Sequence, residues 1–330
     1  MGIARLNSYL KEHCSDFIVT QPISVLKKKR IVIDVQMYMY QFMCETNASL
    51  MENMFLMCTL LVRHDVVPLF VFDNRKKTKT NTQEENKDEK KQERKETRNK
   101  AIDSVVKMIN DNQSDNDTND RTMTEATWQK LKRQIVRLKN SQITQIKKLI
   151  QTFGFTYADA EDEADEVCAH VAITNNAYGC LSDDTDMFAY GCTHIFRNLN
   201  MTNQTVTVIN VAAILKKLNM SKEELREVCV LSHNDYNCKK KNVMDLFNIM
   251  EQFALYKSKS NKNNDEIRFY EWFIERNVEY ETYDAEFKKI YNIFDVFAKA
   301  VPLPRIAFSN KAIDHTELRD AMESEGFHYM

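Results

Sequence analysis

Asp34 stands near the end of the apolar run Ile31-Val-Ile-Asp-Val35, and Asp73 directly follows Val66-Val-Pro-Leu-Phe-Val-Phe72. Asp184 and Asp186 lie in Ser182-Asp-Asp-Thr-Asp186, just beyond the short run Gly179–Ser182. Short apolar runs of this kind predict buried strands of a parallel sheet. Ligand sites of such sheets form outside the carboxyl ends of the strands, so the four aspartates are expected to converge on one edge. A single aspartate after a strand is ordinarily a turn residue or a helix cap. Three strands with the same ending are not explained that way. The run Asp159-Ala-Glu-Asp-Glu-Ala-Asp-Glu166 adds six acids within eight residues. At the start of a helix, Glu163 and Asp165 would occupy the first turn, where the dipole favours negative charge. Capping accounts for one or two acids of that run and not for six. Crowded carboxylates raise one another's pKa and destabilise the fold, and a divalent cation relieves the repulsion. Oxygen-only ligands point to Mg²⁺ or Mn²⁺ rather than zinc.

A basic stretch adjoins the acids. Residues 126–158 carry Lys130, Lys132, Arg133, Arg137, Lys139, Lys147 and Lys148 and no acid, and the acidic run begins at the next residue. Cations that hold a polyanion, beside carboxylates that hold a metal, are what a metal enzyme cutting phosphate esters requires. With 28% charged residues and no run of about 18 apolar ones, no membrane span is expected. The opening MGIARLNSYL lacks the regions of a secretion signal, and Leu6 stands where a myristoylation signal needs Ser or Thr. The eight cysteines form no Cys-x-x-Cys pair and most lie in apolar runs, the pattern of reduced core thiols in an intracellular protein.

Positioning the acids requires an α/β fold. Strands are expected at 31–35, 66–72, 179–182, 193–197 and 205–209. Met37–Val62, apolar-rich and free of breakers, reads as one crossover helix between the first two strands, which makes that pair parallel. Arg75–Lys100 reads as a charged helix extended by Ala101–Ile109, and Asp111–Asp120 as a polar loop. Thr124–Ile150 resumes as a basic helix, and the chain from Asn210 onward is mainly helical.

Read together, these stretches resemble the flap endonuclease/XPG superfamily of structure-specific 5′ nucleases. MGIARLNSYL, IVIDVQMYMYQF and VPLFVFDNRKK resemble its N-terminal region, and YADAEDEADEVCAHVA resembles the opening of its internal region. SDDTDMFAYG is similar to its paired-aspartate motif and VCVLSHNDYN to its last metal-site motif, in matching order over residues 1–240. The resemblance implies a PIN-like, mainly parallel central sheet flanked by helices, with an inserted helical arch and a helical C-terminal part. It divides the chain into an N-terminal nuclease region 1–110 with the arch starting at 75–110, a polar linker 111–123, an internal nuclease region 124–241, and an extension 242–330. It further implies that Asp34, Asp73, Glu163 and Asp165 surround one Mg²⁺, that Asp184 and Asp186 hold a second, and that Asp235 helps through water. Mn²⁺ is an alternative ion. Position 165 carries Asp where the family usually has Glu, which shortens the reach by one methylene. Two ions bridging the scissile phosphate would leave a 5′-phosphate and a 3′-hydroxyl.

The family's helical gateway maps onto Arg75–Lys100, with Lys79, Arg94 and Arg98 as the residues expected to steer a 5′ end. Gly2 and Tyr40 are further expected nucleic-acid contacts, with Tyr38 or Tyr40 able to stack on a base beside the cut. After its last metal-site motif the family has a glycine-containing helix–two-turn–helix that grips uncut duplex. This chain reads YNCKKKNVMDLFNIM there, His233 replaces the motif's own glycine, and no glycine lies between Gly191 and Gly326. A rebuilt hairpin is expected, with Lys239, Lys240 and Lys241 as phosphate contacts. The expected activity is flap or 5′–3′ cleavage of branched or 5′-ended DNA in replication, repair or recombination. The alternatives are a 5′–3′ exoribonuclease of the same fold and a scaffold that binds nucleic acid without cutting it. A monomer without a sliding-clamp peptide in ESEGFHYM (323–330) is expected, acting in the nucleus or a viral replication compartment. The divergence resembles that of a large-DNA-virus nuclease. Lys27–Arg30 (KKKR) reads either as a nuclear signal or as a charged lead into the first strand.

Overall fold

Ile31, Val32 and Ile33 are all fully buried although successive side chains of a strand point to opposite faces. A strand covered on both sides is the mark of a parallel sheet between two helical layers. The computed structural model describes residues 2–45, 49–73, 96–105, 131–132, 135–161, 163–174, 176–238, 240–263, 267–297, 308–323 and 326–327. Among them, seven strands form one sheet: β1 (Ile18–Pro22), β2 (Arg30–Asp34), β3 (Val67–Phe72), β4 (Thr156–Asp159), β5 (Gly179–Leu181), β6 (His194–Asn200) and β7 (Thr205–Asn210). Their order is β1-β7-β6-β5-β2-β3-β4, parallel from β6 to β4, with β7 and β1 added by antiparallel pairing. The chain runs outward from β2 through β3 to β4, then returns to start β5 on the other flank of β2. This reversal is the switch point beside which α/β sheets place their ligands.

One face carries α1 (Leu6–His13), α5 (Ala164–Ile173), α6 (Asp186–Tyr190), α7 (Val211–Lys217) and α8 (Lys222–Leu231). Outside them lie α9 (Leu246–Asn263), α10 (Phe269–Ile274), α11 (Val278–Glu281) and α12 (Asp284–Phe294), and all share one core with Val32, Leu69 and Val71. The other face carries α2 (Val35–Glu45), α3 (Leu50–Arg63), α4 (Asn140–Thr152) and α13 (His315–Glu323) over Ile31, Ile33, Phe70 and Phe72. The α/β expectation therefore holds, and the parallel strands carry the acids at their carboxyl ends.

Four elements differ from the sequence reading. The single crossover helix is two helices: α3 starts afresh behind Ser49, whose hydroxyl accepts the Glu52 amide at 3.1 Å. Ser-x-x-Glu at 49–52 was the available signal. The basic helix expected over Thr124–Ile150 is not continuous, because residues 136–139 are not helical and α4 begins at Asn140. Gln142 Oε1 accepts the Lys139 amide at 2.9 Å and fixes that new start. Strands β1 and β4 had no clear apolar alternation, since both are sheet edges with mostly half-exposed residues. Most of the expected arch, at 74–95 and 106–130, lies outside the described residues, while 96–105 is helical.

The C-terminal chain is built into both layers. Glu227 on α8 is buried and accepts from Arg268 Nε at 2.8 Å and from the Tyr270 amide at 3.1 Å. Tyr280 accepts the Met244 amide at 2.6 Å and donates to Leu231 O at 3.3 Å. Further on, the Ser309 amide donates to Thr156 Oγ1 at 2.9 Å, and Leu318 and Met322 enter the opposite core. Helix α8 is the hub of the first layer, and a capping box starts it: Ser221 Oγ accepts the Glu224 amide, and Glu224 Oε2 accepts the Ser221 amide. Ser221→Ala is expected to cost about 1 kcal/mol of stability in urea denaturation. An unchanged midpoint would show that packing alone holds the helix start.

Candidate active site

The parallel register sets the geometry of the site. Asp34 ends β2 opposite Val71 of β3, so Asp73 emerges two residues further along the neighbouring strand. Ile33 pairs with Leu181, which puts Ser182 level with Asp34 on the other side and leads into Asp184 and Asp186. Glu163 is the N-cap residue of α5 and Asp165 lies in its first turn. Asp235 arrives from the turn behind α8, where its Oδ2 accepts the Gly2 amide at 2.8 Å. The structure thus brings all seven expected carboxylates to one end of the sheet.

Their electrostatics link them into one network. Burial, then the charges of Asp73 and Asp184, push the Asp34 carboxyl up to about 7. Burial, then Asp184, Asp235 and Glu163, push Asp186 up to about 8. Burial and the charges of Asp34, Asp184 and Asp186 hold Asp165 well above the carboxylate range. Each of the seven is therefore a source or a target of repulsion within the group. Oδ1 of Asp165 and Oδ1 of Asp186 are buried without a hydrogen-bond partner. Among the described residues no three acids, cysteines or histidines close into a finished metal cage. Mg²⁺ does not need one, since it keeps several waters and takes only one or two carboxylates directly. Orphaned anionic oxygens within a mutually repelling cluster fit a hard divalent cation.

Several residues orient the acids in ways the sequence had not indicated. Gln36, 7% exposed, donates from Nε2 to Asp73 Oδ2 at 2.6 Å, and its own Oε1 is buried without a partner. A lone polar residue in the apolar helix start after Asp34 was its only signal. Asp73 Oδ1 accepts the Ala164 amide at 2.7 Å, so this carboxylate caps the very helix that supplies Asp165. Asp184 Oδ1 accepts the Asp186 amide at 3.1 Å, and the Asp184 amide donates to Ser182 Oγ at 3.2 Å. Gly2 has φ +90, and a Cβ there would lie 2.5 Å from Asp184 Oδ1 and 2.8 Å from Asp186 Oδ1. Glycine takes this left-handed conformation freely and lets the N-terminal backbone approach the acids this closely. The Ile3 amide secures it by donating to Thr185 Oγ1 at 2.7 Å.

Comparison with known proteins follows the same residues. The XPG N-terminal domain matches residues 1–101 and the XPG I-region matches residues 154–235, together more than half of the chain. The chain belongs to the XPG superfamily of nucleases. A probable RAD2-like endonuclease of Invertebrate iridescent virus 6 is 25% identical over 280 residues, covering 72% of this chain and 67% of that relative. Flap endonuclease-1 from Methanococcus jannaschii shares the fold with a TM-score of 0.62 at 18% identity, covering 95% of this chain and 93% of that one. Human GEN1 in complex with Holliday junction DNA gives a TM-score of 0.63 at 16% identity, covering 99% and 74%.

The expected nucleic-acid contacts of this XPG chain are placed less uniformly. Lys79, Arg94 and Lys239 lie outside the described residues. Arg98 sits half-buried on the helical stretch 96–105, and its buried Nε has no partner. Tyr40 is half-buried at the margin of the second core. Tyr38 is not available for stacking: it is 1% exposed and packs on Phe42 at a ring separation of 6.0 Å. Lys240 is not a free phosphate contact either, since it pairs with Glu286 and lies 4.4 Å from the Tyr283 ring centre. Lys241 is exposed. Lys147 and Lys148, expected on a basic face, are tied to Asp159 and Glu317. The glycine-free hairpin is held by side chains. Asn234 and Asn237 are buried, Asn237 Oδ1 accepts the Asn234 amide at 2.8 Å, and Asn234 Oδ1 accepts the Asn237 amide at 3.1 Å.

The raised carboxyls make stability depend on pH with a definite sign. The folded protein keeps protons on Asp34 and Asp186 that the unfolded chain releases above 3.8, the ordinary value. Without divalent metal, stability should therefore fall as pH rises from about 4 to about 8. Asp186→Asn should raise the metal-free melting temperature at pH 8 by at least about 2 °C, with the gain shrinking toward pH 4. An unchanged or lower melting temperature at pH 8 would contradict the repulsion.

Proposed function

We propose that this chain is a structure-specific 5′ nuclease that hydrolyses phosphodiesters of branched or 5′-ended DNA with two divalent cations, Mg²⁺ or Mn²⁺. The observation that carries the reading is the single repelling network of seven carboxylates beyond the sheet's carboxyl ends. Asp34, Asp73, Glu163 and Asp165 would hold one cation, Asp184 and Asp186 the other, with Asp235 acting through water. Such a pair supplies Lewis acidity toward the phosphate and its leaving oxygen. The chain's own groups set where that happens. Gln36 and the α5 amide fix both oxygens of Asp73, Gly2 fixes Asp235, and Thr185 ties the N-terminus to the paired aspartates. Similarity to a viral RAD2-like endonuclease, and to GEN1 in complex with Holliday junction DNA, supports DNA as the substrate and a branch as its recognised feature. Seven buried cysteines, none of them in a disulfide, support a reducing, intracellular compartment where DNA is replicated or repaired.

One observation favours the RNA-directed reading as the second choice. The duplex-gripping hairpin has been rebuilt on asparagines, and Lys240 beside it is already neutralised by Glu286. Cleavage of 5′-labelled flap DNA, blunt duplex, single-stranded DNA and single-stranded RNA, with Mg²⁺ or Mn²⁺, separates the two. Metal-dependent cutting at the flap junction is expected. Asp186→Ala should lower it by more than the roughly 100-fold that outer-shell changes cost at metal sites. RNA cut in preference to every DNA would move the chain to the exoribonuclease reading. A folded chain that cuts nothing would refute both.

A further inference from the structure

The basic run Lys27–Arg30 plays no part in the acid site. Arg30 begins β2 and Asp34 ends it, so the two lie roughly 13 Å apart at about 3.3 Å per residue. At this amino-terminal edge a cavity of about 470 Å³ opens between the leads into β2, β5 and β6. Lys28, Lys29, Arg30, Asn176, Tyr178 and His194 line it, and no acid does. Some cations elsewhere are neutralised: Lys147, Lys148, Lys240, Lys257 and Arg268 each pair with a carboxylate. Among the described residues none of Lys28, Lys29 and Arg30 has such a partner. Three adjacent cations without a carboxylate partner give this edge a positive potential that attracts anions.

The walls of the cavity are held by backbone. Lys28 has φ 58, in the left-handed region, and its amide donates to Asp65 O at 2.7 Å. The Lys29 amide donates to Leu26 O at 3.0 Å, and the Tyr178 amide donates to Arg30 O at 2.7 Å. A Cβ on Gly179 would lie 2.6 Å from His194 O, so only glycine lets β5 and β6 meet here. That close approach stacks Tyr178 on His194, with ring centres 4.4 Å apart and planes at 23°. Lys29 Nζ sits 3.7 Å from the Tyr178 ring centre. Burial and the Lys29 charge hold the His194 imidazole below its ordinary range, so it stands neutral among cations.

We propose that this edge is a second binding site, for the phosphate of a nucleotide, with Lys28, Lys29 and Arg30 on the phosphate and the Tyr178–His194 pair beside the base. The volume lies within the range of about 300–1,000 Å³ found for small-ligand sites. The Arg30 guanidinium offers a planar fork to phosphate oxygens, and the lysines act as point charges. Aromatic faces accept any base, which makes the site tolerant of sequence. The phosphate is either that of a free nucleotide or one within a strand. The site stands on its own residues and does not depend on the nuclease reading.

Calorimetry on the full chain in EDTA tests it, because the metal-free acid site repels anions. Adenosine 5′-monophosphate is expected to bind, and adenosine is not. Lys29→Ala should weaken the monophosphate roughly tenfold, the loss of one charge-assisted contact. Lys28→Gly should weaken it similarly while keeping the fold, since glycine takes the left-handed conformation freely. Tyr178→Ala should weaken the monophosphate more than inorganic phosphate, and Lys257→Ala, at a distant ion pair, should change neither. A 5′-phosphorylated oligothymidine that binds more tightly than the monophosphate would identify a strand as the source, and equal affinity would identify the free nucleotide. Adenosine binding as well as its monophosphate, no binding of any phosphate compound, or affinity unchanged in both lysine variants would overturn the proposal.

Discussion

Like charges held closer together than they would choose are the constraint around which this fold is organised. Asp34, Asp165 and Asp186 are each displaced upward by burial and by their neighbours, and the network they form reaches all seven acids. A flexible chain would relax by spreading them apart. Here they cannot spread, because each hangs from a rigid support: the ends of two buried strands, the first turns of α5 and α6, and the turn behind α8. The supports are fixed by two apolar cores on opposite faces of one sheet, fed by alternate residues of the same strands. Burial of apolar surface elsewhere thus offsets repulsion that is concentrated at one edge.

Local hydrogen bonds then tune what the cores only place. Asp73 caps α5 and takes the Gln36 amide, so both its oxygens have assigned directions. The N-terminus reaches across 233 positions to donate from Gly2 to Asp235, and at φ +90 a side chain on Gly2 would be strained and would crowd the paired aspartates. The C-terminal chain works at the opposite end of the sheet. Ser309 and its neighbours return to β4, and α13 closes the core over α4. The described residues of 242–330 are therefore part of the scaffold on both faces rather than an appendage.

Part of the charge away from the acids is spent internally. Lys147, Lys148, Lys240 and Arg268 look basic in sequence, yet each faces a carboxylate in space. Exposed pairs of this kind add little stability, but they remove cations from the surface that nucleic acid would meet. Among the described residues, Lys28, Lys29 and Arg30 are three adjacent cations without such a partner, lining one cavity.

Much of the site was legible from residue type and spacing, because strand runs and the acids after them are local patterns. Asp34, Asp73, Asp184 and Asp186 follow apolar runs whose parallel pairing forces them to one edge, and Glu163 and Asp165 sit where a helix must begin. Asp235 was legible only through its family motif. Tertiary structure decided what depends on partners far away in the chain. It turned Tyr38 into core, bound Lys240 to Glu286 and made Asp73 the cap of a helix 91 positions away. It also made strands of Ile18–Pro22 and Thr156–Asp159, whose half-exposed edges carry no alternation. The physical reason is common to all of these. Periodicity and capping act over a few residues and are written in the sequence. Burial, ion pairing and edge pairing depend on which surfaces meet, and that is settled only when the sheet and its two layers assemble.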